Sequence, residues 1–186
     1  HNVVGVPIKR ATRKSTKLVV IDSREVELTR YAHVWLRPAP GTEQLLLGGL
    51  LKSVVDQGFQ KGEWLAENCE SPATLLYALS ALDLSDISRI TQVDTSDIAE
   101  AARLYGEADA SALVYALDNI QQSQARDCVL SLVNLALVTG NIGKIGAGIY
   151  PMRQGANEQG ASDVGCVPDR LPGYRRVSNG EDRQAL

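Results

Sequence analysis

The chain has 186 residues, of which 44% are apolar, 22% charged and 5% aromatic, with a formal net charge of −3. At about 150 residues per domain this predicts one domain or two small ones, and the composition excludes a collagen-like, disordered or membrane-spanning chain. The near-neutral charge and few aromatics give no footing for nucleic acid, by phosphate neutralisation or by base stacking.

Three cysteines, Cys69, Cys128 and Cys166, are odd in number and widely spaced. That excludes a disulfide framework and a local zinc site. The chain opens on His1 with no signal-peptide pattern, so it reads as a piece of something longer. A cytoplasmic compartment is the expectation, with export left open because any leader would precede His1. Charge is uneven: residues 1–37 carry eight Lys/Arg against three acids, and the middle of the chain is acidic. A solvated helix face explains this, and an anion site near the N-terminal segment is the sharper alternative.

In chain order, residues 4–15 have helical spacing, with Val4, Ile8 and Ala11 on one side. Lys17–Ile21 is a β-branched run that reads as a strand buried on both faces, the pattern of a parallel sheet. A short helix over 24–31 leads to a second strand, His33–Leu36. Pro38, Pro40 and Gly41 make the next stretch a loop, and Thr42 caps a long apolar helix over 43–57. Residues 62–106 are helical in several pieces, with Thr95 or Ser96 as the N-cap of the last. Ala112–Leu117 is the third strand, and 124–138 a very apolar helix ending at Thr139-Gly140. From residue 140 the chain is a glycine-rich loop region.

Strands alternating with helices predict a three-layer α/β domain with a parallel sheet. Such sheets place ligands beyond the carboxyl ends of their strands. Here those ends are Asp22-Ser23-Arg24, Arg37–Thr42 and Leu117-Asp118-Asn119. An acid and an Arg at a strand end suit a ribose diol, a base edge or a phosphate, although Asp22 or Ser23 equally serves as a helix cap. Glu43 falls in a helix first turn, where its charge is favourable. Lys144 is followed by Ile145, so the hydroxyl of a phosphate-binding loop is absent and Thr139–Gly148 reads as a helix exit. The stretch 151–165 gathers Arg153, Gln154, Asn157 and Gln159 among glycines, a density of amides suited to a heterocycle. Only His1 and His33 occur, at no metal-ligand spacing. Cys128 reads as a buried core thiol.

Taken in order, Lys17–Arg24, Arg37-Pro-Ala-Pro-Gly-Thr42, the helix at 95–106, Leu135-Ala-Leu-Val-Thr-Gly-Asn-Ile-Gly-Lys144, Pro151-Met-Arg153, Asn157–Gly165 and Leu171-Pro-Gly-Tyr174 resemble the molybdopterin oxidoreductase family. The nearest likeness is to the formate dehydrogenase catalytic (alpha) subunit, from about Val4 to Tyr174. The resemblance implies a Rossmann-like domain over 1–150, with its first strand upstream of His1. Residues 151–186 would be an active-site loop and linker segment. It also implies a molybdopterin guanine dinucleotide carrying Mo or W, and a 4Fe-4S cluster held upstream.

On that likeness Asp22, Ser23 and Arg24 meet the nucleotide end, Gly41 and Glu43 lie in the next cofactor loop, and Gln121 faces the pterin. Gln154 and Gly155 follow Arg153, which holds formate beside the metal. Further domains of the same chain and electron-transfer subunits would be its partners, and the piece alone would be inactive. The pattern departs from the family in four places. Ser23 replaces Pro, Glu43 replaces Asp, and Ala116-Leu117-Asp118 replaces Gly-Met-Gly. The Gln of the Arg153 loop is also shifted, to 154. These departures suit an alternative, a cofactor-free structural domain like that of the large iron–sulfur subunit of respiratory NADH:quinone oxidoreductase.

Overall fold

The computed structural model describes residues 2–116, 122–152, 155 and 157–185. The chain divides into two compact units, His1–Tyr150 and Pro151–Leu186.

In the first unit, α1 (Asn2–Thr12) leads to β1 (Val19–Ile21). The expected helix at 24–31 is only a 3-10 turn, Glu27–Tyr31, because Val26 stays extended and the preceding turn is closed by Asp22. β2 (Val34–Leu36) follows and pairs with β1 in parallel, Val19 with Val34 and Ile21 with Leu36. α2 (Glu43–Asp56) is the central helix. α3 (Gly62–Asn68), α4 (Pro72–Ser80), α5 (Leu84–Thr91) and α6 (Thr95–Gly106) occupy the stretch expected to be helical in pieces. The N-cap of α6 is Asp94 rather than Thr95 or Ser96, and its side chain makes no capping bond.

β3 (Ala112–Tyr115) and β4 (Gly148–Pro151) flank α7 (Gln122–Val138) and pair with each other. A single three-stranded parallel sheet was the expectation. Among the described residues the parallel ladder holds β1 and β2 alone, and β3 joins them only through side chains. Leu113 and Tyr115 pack with Ile21 against Leu47, Cys128 and Leu132. The larger core lies between the β1–β2 ladder and helices α2, α4, α5, α6 and α7, around Leu36, Leu46, Val54, Ile98 and Leu135. The class is nonetheless α/β and Rossmann-like: parallel β1 and β2 pack against helices, and α2 departs beyond the carboxyl end of β2.

Two glycines fix helix approach. A Cβ at Gly49 would lie 2.9 Å from Ile87 Cγ2, and one at Gly106 only 2.5 Å from the Phe59 ring. At the far end of α7, Gly140 takes a left-handed φ of +64°. Asn141 N–H reaches Ala136 O at 2.8 Å and Gly140 N–H reaches Leu137 O at 3.0 Å, a Schellman close. The expected helix exit is therefore present. It is locked by Asn141, which is 2% exposed, accepts Ser111 N–H at 3.0 Å and donates to Thr139 Oγ1 at 2.9 Å.

The second unit contains α8 (Glu158–Asp163), a short antiparallel ladder of β5 (Arg170–Leu171) with β6 (Arg175–Arg176), and α9 (Gly180–Gln184). Asn157 and Asn179 cap the two helices, each accepting a backbone N–H at 3.0 Å.

Candidate functional site

The carboxyl ends of β1 and β2 form the rim where the sequence places a site. Pairing runs one residue past β1, since Asp22 N–H donates to Leu36 O at 3.2 Å. Asp22 Oδ1 then accepts the Arg24 backbone N–H at 2.8 Å, an Asx turn, and Arg24 Nε lies 3.7 Å from the same oxygen. The turn is braced from β2. Trp35 donates its indole N–H to Asp22 O at 2.9 Å, and Arg37 donates Nε–H to Ser23 O at 3.2 Å. The Arg37 guanidinium also lies over the Trp35 ring, 5.3 Å from its centroid. Asp22 thus closes a turn rather than capping a helix, since the 3-10 turn that follows has Val26 at its N-cap with no side-chain cap, and its carboxylate keeps 23% exposure while Arg24 keeps 62%.

The next loop is held at three points. Ala39 N–H donates to Thr91 O at 2.8 Å. Thr42 Oγ1 donates to Ala39 O at 2.7 Å, so the Thr42 hydroxyl is spent within the loop and gives α2 no side-chain cap, contrary to expectation. Gly41, at φ +86°, offers its carbonyl to Gln124 Nε2 at 3.1 Å. Gln124 sits in the first turn of α7, so α2 and α7 both begin at this rim.

Two buried acceptors at this corner find no donor among the described residues: Glu43 Oε2 and Gln124 Oε1. An orphaned buried acceptor carries a desolvation cost of about 1–3 kcal/mol, more when charged. Cys128 lies one turn along from Gln124 and is fully buried. Burial first, and then the charges of Glu43 and Asp127, push its thiol pKa up.

Of the residues nominated from sequence, the structure brings Asp22, Ser23, Arg24, Gly41 and Glu43 to the ends of two paired strands. Gln121, Arg153 and Gln154 lie outside the described residues, as do Leu117, Asp118 and Asn119. Gly155 belongs to the second unit, where its N–H donates to Glu158 Oε1 at 2.7 Å. The two described amides of this stretch, Asn157 and Gln159, have partners within that unit. Asn157 caps α8, and Gln159 Nε2 donates to Asp163 Oδ1 at 2.9 Å and to the Tyr174 hydroxyl oxygen at 2.6 Å. The Tyr174 and Gln159 bonds hold the Asp163 carboxyl below its ordinary range.

Sequence reasoning missed Trp35 and Arg37 as braces and Gln124 as the residue holding Gly41. No signal in the sequence singles out Gln124, which is one of several polar residues in the first two turns of α7. Among the described residues no group of three His, Cys, Asp or Glu could hold a metal ion, and no helix is long and apolar enough to cross a membrane. An open groove of about 660 Å³ lined by Lys61, Trp64, Gly140 and Lys144 lies at the far end of α7. Seventeen residues of helix put it roughly 25 Å from the rim.

No family model matches the chain. It is 32% identical over 97% of its length to the F420-dependent formate dehydrogenase subunit alpha of Methanocaldococcus jannaschii, covering 27% of that protein. It is 30% identical over 99% of its length to formate dehydrogenase H of Escherichia coli, covering 26%. With the NADPH-Fe(3+) oxidoreductase subunit alpha of Geobacter sulfurreducens it shares 32% identity over 90% of its length, covering 20%. The chain therefore spans well under a third of the length of these curated relatives. Among solved structures, acetylene hydratase from Pelobacter acetylenicus superposes with a TM-score of 0.68 at 22% identity, over 74% of this chain and 19% of that one. That likeness establishes the fold. Over nearly its whole length, then, the chain is homologous to part of formate dehydrogenase alpha subunits and related oxidoreductases.

Proposed function

We propose that the chain is part of a molybdenum- or tungsten-dependent oxidoreductase, a formate dehydrogenase, in which residues 1–150 grip the guanine end of a molybdopterin guanine dinucleotide. The observation that carries this reading is the pair of buried acceptors without donors at the rim, Glu43 Oε2 and Gln124 Oε1. A guanine edge presents adjacent N–H donors, so it suits that corner chemically. Glu43 accepts from the base, Gly41 keeps the approach clear of a side chain, and Asp22, Ser23 and Arg24 flank the nucleotide. Gln121 faces the pterin, with Gln154 and Gly155 in the loop beside Arg153.

When bound, the group supplies a metal centre that accepts two electrons. Arg153 holds the formate carboxylate through paired N–H···O bonds and aims its C–H bond. Formate leaves as CO2 after giving up one proton and two electrons. A 4Fe-4S cluster in another part of the parent chain and electron-transfer subunits carry the electrons onward, so the isolated piece does not turn over.

Ala116-Leu117-Asp118 motivates the second reading, a cofactor-free structural domain. The orphaned acceptors weigh against it, because a domain with nothing to bind gains from replacing them by apolar side chains. Metal analysis of the intact parent tests the first reading: stoichiometric Mo or W is expected, and its absence would refute it. In that parent Arg153→Ala should abolish formate turnover while metal content stays unchanged. Retained turnover would refute the role of Arg153.

A further inference from the structure

Gln124 belongs to none of the motifs that suggest a cofactor site, yet it is tied to the loop that carries Gly41 and Glu43. Its two polar atoms have different fates. Nε2 donates to Gly41 O at 3.1 Å across 83 residues of sequence, and Oε1 is buried with no donor. The amide is therefore oriented by its own hydrogen bond, because flipping it would set Oε1 against the Gly41 carbonyl. Its neighbour Glu43 has an orphaned oxygen of the same kind, and both lie where α2 and α7 begin. The Gln124 acceptor is fixed by its bond to Gly41 and the Glu43 acceptor opens the adjoining helix, so a partner with two donors would satisfy both.

We propose that Gln124 is a second specificity residue of this site, accepting an N–H from the base beside the one taken by Glu43. This rests on the guanine reading above and adds to it a residue and a selection rule. Guanine offers a ring N–H beside an amino group. Adenine and cytosine present an acceptor nitrogen beside their amino group, which would set a lone pair against a fixed oxygen. An unmatched acceptor of this kind discriminates strongly, since a buried polar group is left unpaired with the wrong partner.

The test is calorimetric titration of the chain with GDP, ADP and CDP, for wild type, Gln124→Met and Gln124→Glu. Unfolding midpoints confirm that each variant is folded. Wild type should prefer GDP. Gln124→Met should lose that preference by about tenfold or more, the size of one hydrogen bond in binding. Gln124→Glu keeps the acceptor but not the bond to Gly41, so all three nucleotides should weaken while the preference for GDP survives. A GDP preference unchanged in Gln124→Met would overturn the role of Gln124 and leave the guanine reading standing. A preference lost equally in Gln124→Glu would overturn the acceptor role. A wild type that binds no guanine nucleotide would overturn both.

Discussion

Replacing Asn141 by Ala removes the polar tie between the end of α7 and the start of β3. Asn141 is 2% exposed, and its amide makes two bonds, one accepted from Ser111 N–H and one donated to Thr139 Oγ1. The substitution leaves the part-buried Ser111 N–H without its acceptor, at about 1–3 kcal/mol, and removes a further bond worth about 1 kcal/mol. The expected loss is therefore about 2–4 kcal/mol, which for a chain of this size lowers the unfolding midpoint by roughly 5–15 °C. Asn68→Ala is the control. Asn68 is an exposed helix residue with one bond, to Trp64 O at 2.9 Å, and should cost about 0.5 kcal/mol or less. Urea unfolding followed by far-UV circular dichroism compares the two. Equal losses in the two variants, or a loss below about 0.5 kcal/mol for Asn141→Ala, would show that this network does not hold the first unit together.

Other outcomes follow from the same physics. Gly106→Ala drives a methyl to 2.5 Å from the Phe59 ring and should cost about 1–3 kcal/mol, whereas Gly62→Ala meets nothing within 4 Å and should be neutral or slightly stabilising; denaturant midpoints compare them. The Tyr105 hydroxyl is buried beside Thr139 and Asn141, and burial pushes its pKa up. The neutral phenol is thus favoured in the folded chain, so this contribution is present below about pH 10 and lost as pH rises above it. Stability measured from pH 9 to 12 should fall less steeply in Tyr105→Phe than in wild type. The Cys128 thiol is buried and its pKa raised, so a colourless-to-coloured thiol reagent at pH 7.5, roughly one unit below an ordinary thiol pKa, should label exposed Cys166 at once and Cys128 only on unfolding. Prompt labelling of Cys128→Ser at one site fewer than wild type would contradict this.

The alternation of elements is readable in the residues. The β-branched Lys17–Ile21 run, the Pro-Gly loop before Glu43 and the apolar run 124–138 fall within a few residues of β1, α2 and α7. What escapes the sequence is tertiary. The Thr42 hydroxyl is placed like a cap but turns back to Ala39 O, because the loop closes on itself first. β4 begins at Gly148 with φ +130° and looks like more glycine loop until β3 is seen beside it. Asp22, Gly41 and Glu43 could be nominated because they follow strand ends. Gln124 could not, since its meaning lies in a bond to a carbonyl 83 residues away. Ala39 and Thr91 are linked in the same hidden way.

That last link sets the cost of recognition. The Thr91 carbonyl belongs to the last turn of α5, and its side chain is wholly buried, its hydroxyl donating to Ile87 O at 2.7 Å. The loop from Arg37 to Thr42 hangs from that point and from Gln124, so its shape exists before any ligand arrives. Ordering a free loop costs roughly 1–2 kcal/mol per residue, and here that entropy is already spent in folding. Differences in affinity between rival ligands should then arise from how their edges meet fixed atoms, and association should proceed without a slow loop-ordering step.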